Sequence, residues 1–127
     1  MAHVLVVDDD EGIRETLRFA LEDANHIVHE AIDGIAALEA LQKSKLPMVV
    51  LLDLMMPGLD GAGVLGAVSG DRRLVTQFAY ILVTANSKTL PLAFVNLLTN
   101  LEVPLLSKPF DIDRLLDVVD RAAARLK

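Results

Sequence analysis

The chain has 127 residues and a mass of 13.8 kDa, which suits one compact domain and is too small for two. Hydrophobic residues make up 53% of it, enough to fill a core, and a net charge of −6 without a basic stripe argues against direct nucleic-acid binding. The absence of cysteine excludes disulfides, thiolate zinc sites and cysteine nucleophiles. No apolar stretch reaches the roughly 18 residues of a membrane span and no signal peptide is evident, so we expect a soluble cytoplasmic domain with no membrane contact.

Short runs rich in β-branched residues alternate along the chain with longer segments of helical periodicity. The first and third runs are continuously apolar, as expected of strands that are covered on both faces. The runs that predict strands are His3–Val7, Ile27–Glu30, Met48–Leu52, Ala79–Val83 and Val103–Leu106.

Five helices are predicted between and after these strands. The first follows Asp10 and the last follows Asp111, each a predicted N-cap, while the second starts after Asp33 and the third covers Asp60–Ser69. The fourth carries a core-facing stripe of Leu90, Phe94, Leu97, Leu98 and Leu101. This alternation predicts an α/β fold, a doubly wound parallel sheet with five helices. We expect residues 1–127 to be a single domain with no output domain in the chain.

Polar side chains follow four of the five predicted strands. Asp8 and Asp9 follow the first strand, Asp53 the third, Thr84 the fourth and Lys108 the fifth. Because the carboxyl ends of parallel strands lie along one edge of a sheet, we expect these side chains to meet there. Clustered carboxylates suit Mg²⁺, a lysine suits a phosphoryl oxygen, and one carboxylate can become an aspartyl phosphate. The pattern therefore predicts a magnesium-assisted phosphoryl site.

Four motifs, in this order and spacing, resemble the receiver domain of two-component response regulators. They are Val6-Val7-Asp8-Asp9, the block from Leu52 to Gly61 (LDLMMPGLDG), Val83-Thr84-Ala85 and Lys108-Pro109-Phe110. The resemblance runs from about Val4 to Leu126, essentially the whole chain. It implies the flavodoxin-like receiver fold with strand order 2-1-3-4-5.

The resemblance also implies which residues accept the phosphoryl group and hold the metal. Asp53 would take the group from the phosphohistidine of a sensor histidine kinase or a histidine phosphotransfer protein. Mg²⁺ (or Mn²⁺) would be bound by Asp8, Asp9 and Asp53, together with the backbone carbonyl of Met55. The domain would then act as a switch that slowly loses its phosphate, and not as an enzyme with turnover.

Further matched positions would surround the phosphoryl group. Thr84, Ala85 and Lys108 would contact its oxygens, and the peptide bond to Pro109 would be cis. The chain departs from the family at Leu105, where receivers commonly carry an aromatic switch residue. An aliphatic side chain has neither a hydroxyl nor a planar ring to relocate, which puts the usual readout of phosphorylation in doubt.

Two pairs of residues are predicted to modify this function. Met55 and Asn86 flank the expected path of water to the phosphate and would tune dephosphorylation. Leu92 and Val95 lie on the fourth predicted helix, opposite its core-facing stripe. A helix that is apolar on both sides is usually covered on both, so this side would bind a second copy or an output partner, together with the fifth strand and the last helix.

Three other classes of function remain as alternatives. A docking module that acts without phosphorylation would keep the fold, and Leu105 favours it. A small phosphatase with an aspartyl nucleophile would need a second carboxylate where Met55 stands. A nucleotide-binding domain is disfavoured because neither a Gly-x-Gly-x-x-Gly motif nor a Walker loop is present.

Overall fold

A parallel β-sheet forms the centre of the molecule. The computed structural model describes residues 1–85 and 89–126, and in this part of the chain five strands pair in the order β2-β1-β3-β4-β5. The predicted α/β class and strand order are confirmed. The strands are β1 (His3–Val7), β2 (Ile27–Ala31), β3 (Met48–Asp53), β4 (Phe78–Thr84) and β5 (Leu105–Ser107).

Helices cover both faces of the sheet. Helices α1 (Glu11–Asp23) and α6 (Ile112–Ala124) pack on one face. The other face carries α2 (Gly34–Lys43), α3 (Gly61–Ser69), α4 (Arg72–Gln77) and α5 (Leu92–Asn100). Within the described ranges, no helix is long and apolar enough to cross a membrane.

Aspartate side chains determine where most of these helices begin. The carboxylate of each accepts a hydrogen bond from a backbone N–H in the first turn, which satisfies a donor that the helix itself leaves free. These N-caps include the predicted Asp10 and Asp111, which are confirmed. The full set is Asp10, Asp33, Asp60, Asp71 and Asp111.

The continuous apolar runs in β1 and β3 contribute side chains to an apolar core on each face of the sheet. Alternate side chains of a strand point to opposite faces, so Val4 and Val6 pack under α1 and α6, whereas Leu5 and Val7 pack under the helices of the other face. Every residue of β3 and β4 is buried. Burial of each large apolar side chain in these strands stabilises the fold by roughly 1.5–3 kcal/mol, and this packing fixes the positions of the strand ends.

Helix α4 is one more helix than the five predicted. It has six residues, too few to show an apolar period in the sequence. Asp71 accepts hydrogen bonds from the N–H groups of Arg73 and Leu74, and the Leu74 side chain is buried. The hydroxyl of Tyr80 also donates to the carbonyl of Leu74 at 2.7 Å. The Asp71 cap and the core contact of Leu74 thus stabilise a helix that has no apolar periodicity in the sequence.

Strand β5 starts two residues later than predicted, because Val103 closes the turn that follows α5. The N–H of Val103 donates to the carbonyl of Leu98 at 2.9 Å, and Glu102 before it has a left-handed backbone with φ of 56°. Arg125 donates to both the carbonyl and the carboxylate of Glu102, each at 2.8 Å. These bonds hold a conformation that glycine adopts more readily.

Candidate functional site

Three carboxylates meet at the carboxyl ends of β1 and β3. These two strands are neighbours, and Val7 lies opposite Leu52 in the register. Asp53 is therefore beside the Asp8 and Asp9 that follow β1, and one carboxylate oxygen from each lies within 4.8 Å of the others. Asp8 and Asp53 are buried, with 3% and 7% of their surface exposed, whereas Asp9 is exposed. We call these three residues the acidic cluster.

The pKa of Asp53 is raised above its ordinary value by its surroundings. Burial is the largest cause, followed by the charge of Asp8, with a smaller contribution from Asp9. Lys108 lowers the pKa, as does the N–H of Met55, which donates to Asp53 Oδ1 at 3.3 Å. The upward effects prevail, so the ionised form of Asp53 is disfavoured in the folded protein.

The ends of β4 and β5 contribute Thr84 and Lys108 to the same edge. Thr84 is the last residue of β4 and is 1% exposed. The N–H of Lys108 donates to the carbonyl of Thr84 at 2.9 Å, which ties the two residues together. The Nζ of Lys108 lies 3.7 Å from Asp53 Oδ1. A cation and a buried carboxylate thus stand in direct contact at the predicted position.

The acidic cluster fits a small divalent cation. Its donors are all oxygens, which Mg²⁺ and Mn²⁺ prefer, and their separation of up to 4.8 Å allows them to bind one ion directly or through water. A bound cation would stabilise the ionised form of Asp53, which burial and the charge of Asp8 otherwise disfavour. Asp8, Asp9 and Asp53 are the residues that could hold the ion.

Gly61 imposes a steric constraint on the site that its position in the sequence did not predict. Helix α3 begins against the end of β3, and the N–H of Gly61 donates to the carbonyl of Leu54 at 3.1 Å. A Cβ at position 61 would lie 2.7 Å from the carbonyl oxygen of Asp53 and 2.8 Å from the Cα of Leu54. Only glycine fits beside the backbone of Asp53 without displacing it.

The remaining predicted residues stand at the edge of this site or outside it. Ala85 is exposed after β4, and the side chain of Met55 is 67% exposed, with its N–H rather than its carbonyl in contact with Asp53. Metal binding by the Met55 carbonyl stays a prediction. Asn86 lies outside the described residues. The peptide bond between Lys108 and Pro109 is cis.

The switch position and the predicted partner surface lie on the side formed by α5 and β5. Leu105 opens β5 and packs, partly buried, against the core. Leu98 of the predicted stripe is buried, and its other four members are partly buried against the same core, although Leu90 and Leu101 flank α5 instead of lying within it. On the other side of α5, Leu92 is 74% and Val95 37% exposed. The helix therefore has one apolar side in the core and a second one open to solvent.

The chain is similar to known proteins along most of its length. A family model described as "Response regulator receiver domain" matches residues 4–120. The DNA-binding transcriptional regulator NtrC of Escherichia coli strain K12 is 38% identical over 119 residues, which cover 94% of this chain and 24% of NtrC. The chain spans about a quarter of the length of the curated relatives that it matches.

Two solved structures share the fold along nearly the whole chain. The response regulator receiver domain protein (CheY-like) of Methanospirillum hungatei JF-1 has a TM-score of 0.84 and 29% identity, and the match covers 98% of this chain and 95% of that one. The receiver domain of the Francisella response regulator 1452 has a TM-score of 0.85 and 28% identity, with full coverage of both chains.

Proposed function

Because the chain belongs to the family of response regulator receiver domains, we propose that it is a phosphorylation switch whose acceptor is Asp53. One observation carries this proposal. The Asp53 carboxylate lies within 4.8 Å of two further carboxylates that suit Mg²⁺ and 3.7 Å from the Lys108 ammonium group. A nucleophile, a place for a cation and a fixed positive charge are the parts that phosphoryl transfer needs.

In the proposed reaction, an oxygen of Asp53 attacks the phosphorus of a phosphohistidine. The new O–P bond forms as the N–P bond breaks, and the electron pair of the broken bond stays on the imidazole nitrogen of the donor. Lys108 and the hydroxyl of Thr84 stabilise the charge that develops on the phosphoryl oxygens. Mg²⁺, when bound by Asp8, Asp9 and Asp53, supplies the rest of the charge neutralisation.

We infer that the same site slowly hydrolyses its own aspartyl phosphate, with no turnover of an external substrate. Met55, whose exposed side chain lies two residues after Asp53, would tune the approach of water to the phosphoryl group. The same role is proposed for Asn86, two residues after Thr84. Single substitution of either residue should change the lifetime of the phosphoryl group, and an unchanged lifetime would contradict the role.

The proposed partners are of two kinds. A sensor histidine kinase or a histidine phosphotransfer protein would supply the phosphoryl group. A second copy of the chain or an output partner would bind the face formed by α5, β5 and α6, where Leu92 and Val95 are exposed. Leu105 in β5 links this face to the core, although it cannot act as an aromatic switch.

Borohydride trapping tests the proposed acceptor directly. Borohydride reduces an acyl phosphate to an alcohol, so Asp53 should be converted to homoserine after incubation with phosphoramidate and Mg²⁺, and peptide mass spectrometry should locate the change. Asp53→Asn is the control and should give no product. Reduction at another residue would refute the acceptor, and no reduction in folded protein would favour the docking module.

A further inference from the structure

Arg14 contacts the backbone of the acidic cluster from outside the site. It lies in the first turns of α1, and its side chain is only 11% exposed. Its Nη1 donates to the carbonyl oxygen of Asp8 at 2.7 Å. A charged donor makes a stronger hydrogen bond than a neutral one. Arg14 therefore ties helix α1 to the residue at which β1 ends and the acidic cluster begins.

Glu30 in β2 holds the guanidinium group of Arg14 in place. Arg14 Nε donates to one oxygen of the Glu30 carboxylate at 3.1 Å, and Arg18 Nη1 donates to the other oxygen, also at 3.1 Å. Arg18 pairs in addition with Glu22. Both arginines thus share Glu30, but the bond to Asp8 comes from Arg14. The chain offers a matched pair of arginines that differ in this contact.

The side chain of Asp8 is fixed by a separate bond. The N–H of Asp10 donates to Asp8 Oδ1 at 2.9 Å, and the N–H of Asp8 itself donates to the carbonyl of Ala31 at 3.2 Å. The hydrogen bond from Arg14 also restrains the backbone carbonyl of Asp8. Since Asp8 and Asp53 repel each other, restraints on this turn keep the carboxylates together at a separation that suits a metal ion.

We propose that Arg14 is a positioning residue for the divalent cation of this site. The inference rests on the proposed function, because it deepens the role of the same metal site. Arg14, held by Glu30, fixes the turn from Asp8 to Asp9 and so prepares both carboxylates for the ion before it binds. Groups that orient metal ligands commonly change metal affinity by 10- to 100-fold when they are removed.

Charge and positioning predict opposite results when Arg14 is replaced. Loss of a positive charge near a cation site strengthens cation binding, because the Coulomb repulsion between the two disappears. Loss of a restraint on Asp8 weakens cation binding, because the carboxylates must then be ordered at the moment of binding. The direction of the change in Mg²⁺ affinity therefore separates a positioning role from a purely electrostatic one.

The experiment is a Mg²⁺ titration by calorimetry at fixed ionic strength. Arg14→Met keeps most of the aliphatic stem and should weaken Mg²⁺ binding about tenfold, and Arg14→Lys should recover part of the loss. Arg18→Met is the matched control and should stay within about twofold of the wild type. Wild-type or tighter binding by Arg14→Met would overturn the proposal, as would an equal loss in Arg18→Met.

A second readout separates failure of this inference from failure of the proposed function. With phosphoramidate as donor, Arg14→Met should need more Mg²⁺ for half-maximal phosphorylation but should reach the wild-type maximal rate. A wild-type protein that binds Mg²⁺ but accepts no phosphoryl group would refute the proposed function. In that case the Mg²⁺ affinities of the Arg14 and Arg18 variants would still test the role of Arg14. If Arg14→Met does not fold, the Mg²⁺ affinity of Arg14→Lys is compared with that of Arg18→Lys, since both variants keep the positive charge. Equal affinities of these two variants would contradict the proposal.

Discussion

At the level of single residues, Asp53 shows how a site for a cation opposes the stability of the fold. Burial and the charge of Asp8 raise the pKa of Asp53, so ionised Asp53 is disfavoured in the folded protein. The folded state then keeps its proton over a pH range in which the unfolded chain has lost it. The contribution of Asp53 to the free energy of unfolding therefore falls as pH rises from about 3.8, the ordinary pKa, through the raised value.

Asp53→Asn should therefore stabilise the metal-free protein at neutral pH. The amide carries no charge, so the penalty of burying a carboxylate beside Asp8 disappears, and the Tm should rise by a few degrees. Thermal unfolding followed by circular dichroism, in the presence of a chelator, measures the effect. The gain should shrink as pH falls and vanish below pH 3.8, where the wild-type carboxyl becomes protonated in the unfolded chain as well as in the folded protein. A lower Tm for Asp53→Asn at neutral pH would contradict this account.

Lys108 should have opposite effects on metal binding and on chemistry. Lys108→Met removes the ammonium group 3.7 Å from Asp53, so Mg²⁺ should bind more tightly, while the rate of phosphorylation should drop about 100-fold. Calorimetry and the rate of modification by phosphoramidate measure the two quantities. Lys45→Met, an exposed lysine before β3, is the control and should change neither. An unchanged rate in Lys108→Met would exclude a role in phosphoryl transfer.

At the level of secondary structure, two glycines of α3 differ in what surrounds them. A Cβ at Gly61 would collide with the backbone of Asp53 and Leu54, whereas nothing lies within 4 Å of one at Gly66. Gly61→Ala should lower the free energy of unfolding by roughly 1–3 kcal/mol, because the end of β3 must shift. Gly66→Ala should raise it by about 0.5–1 kcal/mol, because alanine favours an exposed helix position.

Chemical denaturation of both variants, combined with Mg²⁺ titration, tests this contrast. Gly61→Ala should also weaken Mg²⁺ binding, because Asp53 moves with its backbone, and Gly66→Ala should leave it unchanged. Similar stabilities for the two variants would show that the close approach of α3 to Asp53 does not constrain the site.

The same elements show how far the sequence alone could lead. The strand ends were predictable because apolar runs end abruptly at Asp8, Asp53 and Thr84, and parallel strands bring their ends to one edge. Helix α4 was not, since six residues held by a cap and a core contact carry no period. The contact between Arg14 and Asp8 was also out of reach, because a polar helix position indicates neither its partner nor its distance.

At the level of the whole molecule, the apolar outer side of α5 predicts an assembly. Leu92→Asp combined with Val95→Asp should abolish a self-association or partner contact that phosphorylation promotes, because both side chains are exposed in the single chain. Sedimentation of the phosphorylated protein measures this. Leu46→Asp, at an exposed leucine before β3, is the control. A monomer in every state, with unchanged output in the double variant, would refute the partner surface.

We propose above that Asp53 accepts a phosphoryl group in the presence of Mg²⁺, and mass spectrometry can test this proposal. Intact mass is determined after incubation with acetyl phosphate, with and without Mg²⁺, for the wild type and Asp53→Asn. If the proposal is correct, the wild type gains one phosphoryl group from acetyl phosphate only when Mg²⁺ is present, and Asp53→Asn gains none. A folded wild-type protein that gains no mass with Mg²⁺ present, or an equal gain by Asp53→Asn, would contradict it.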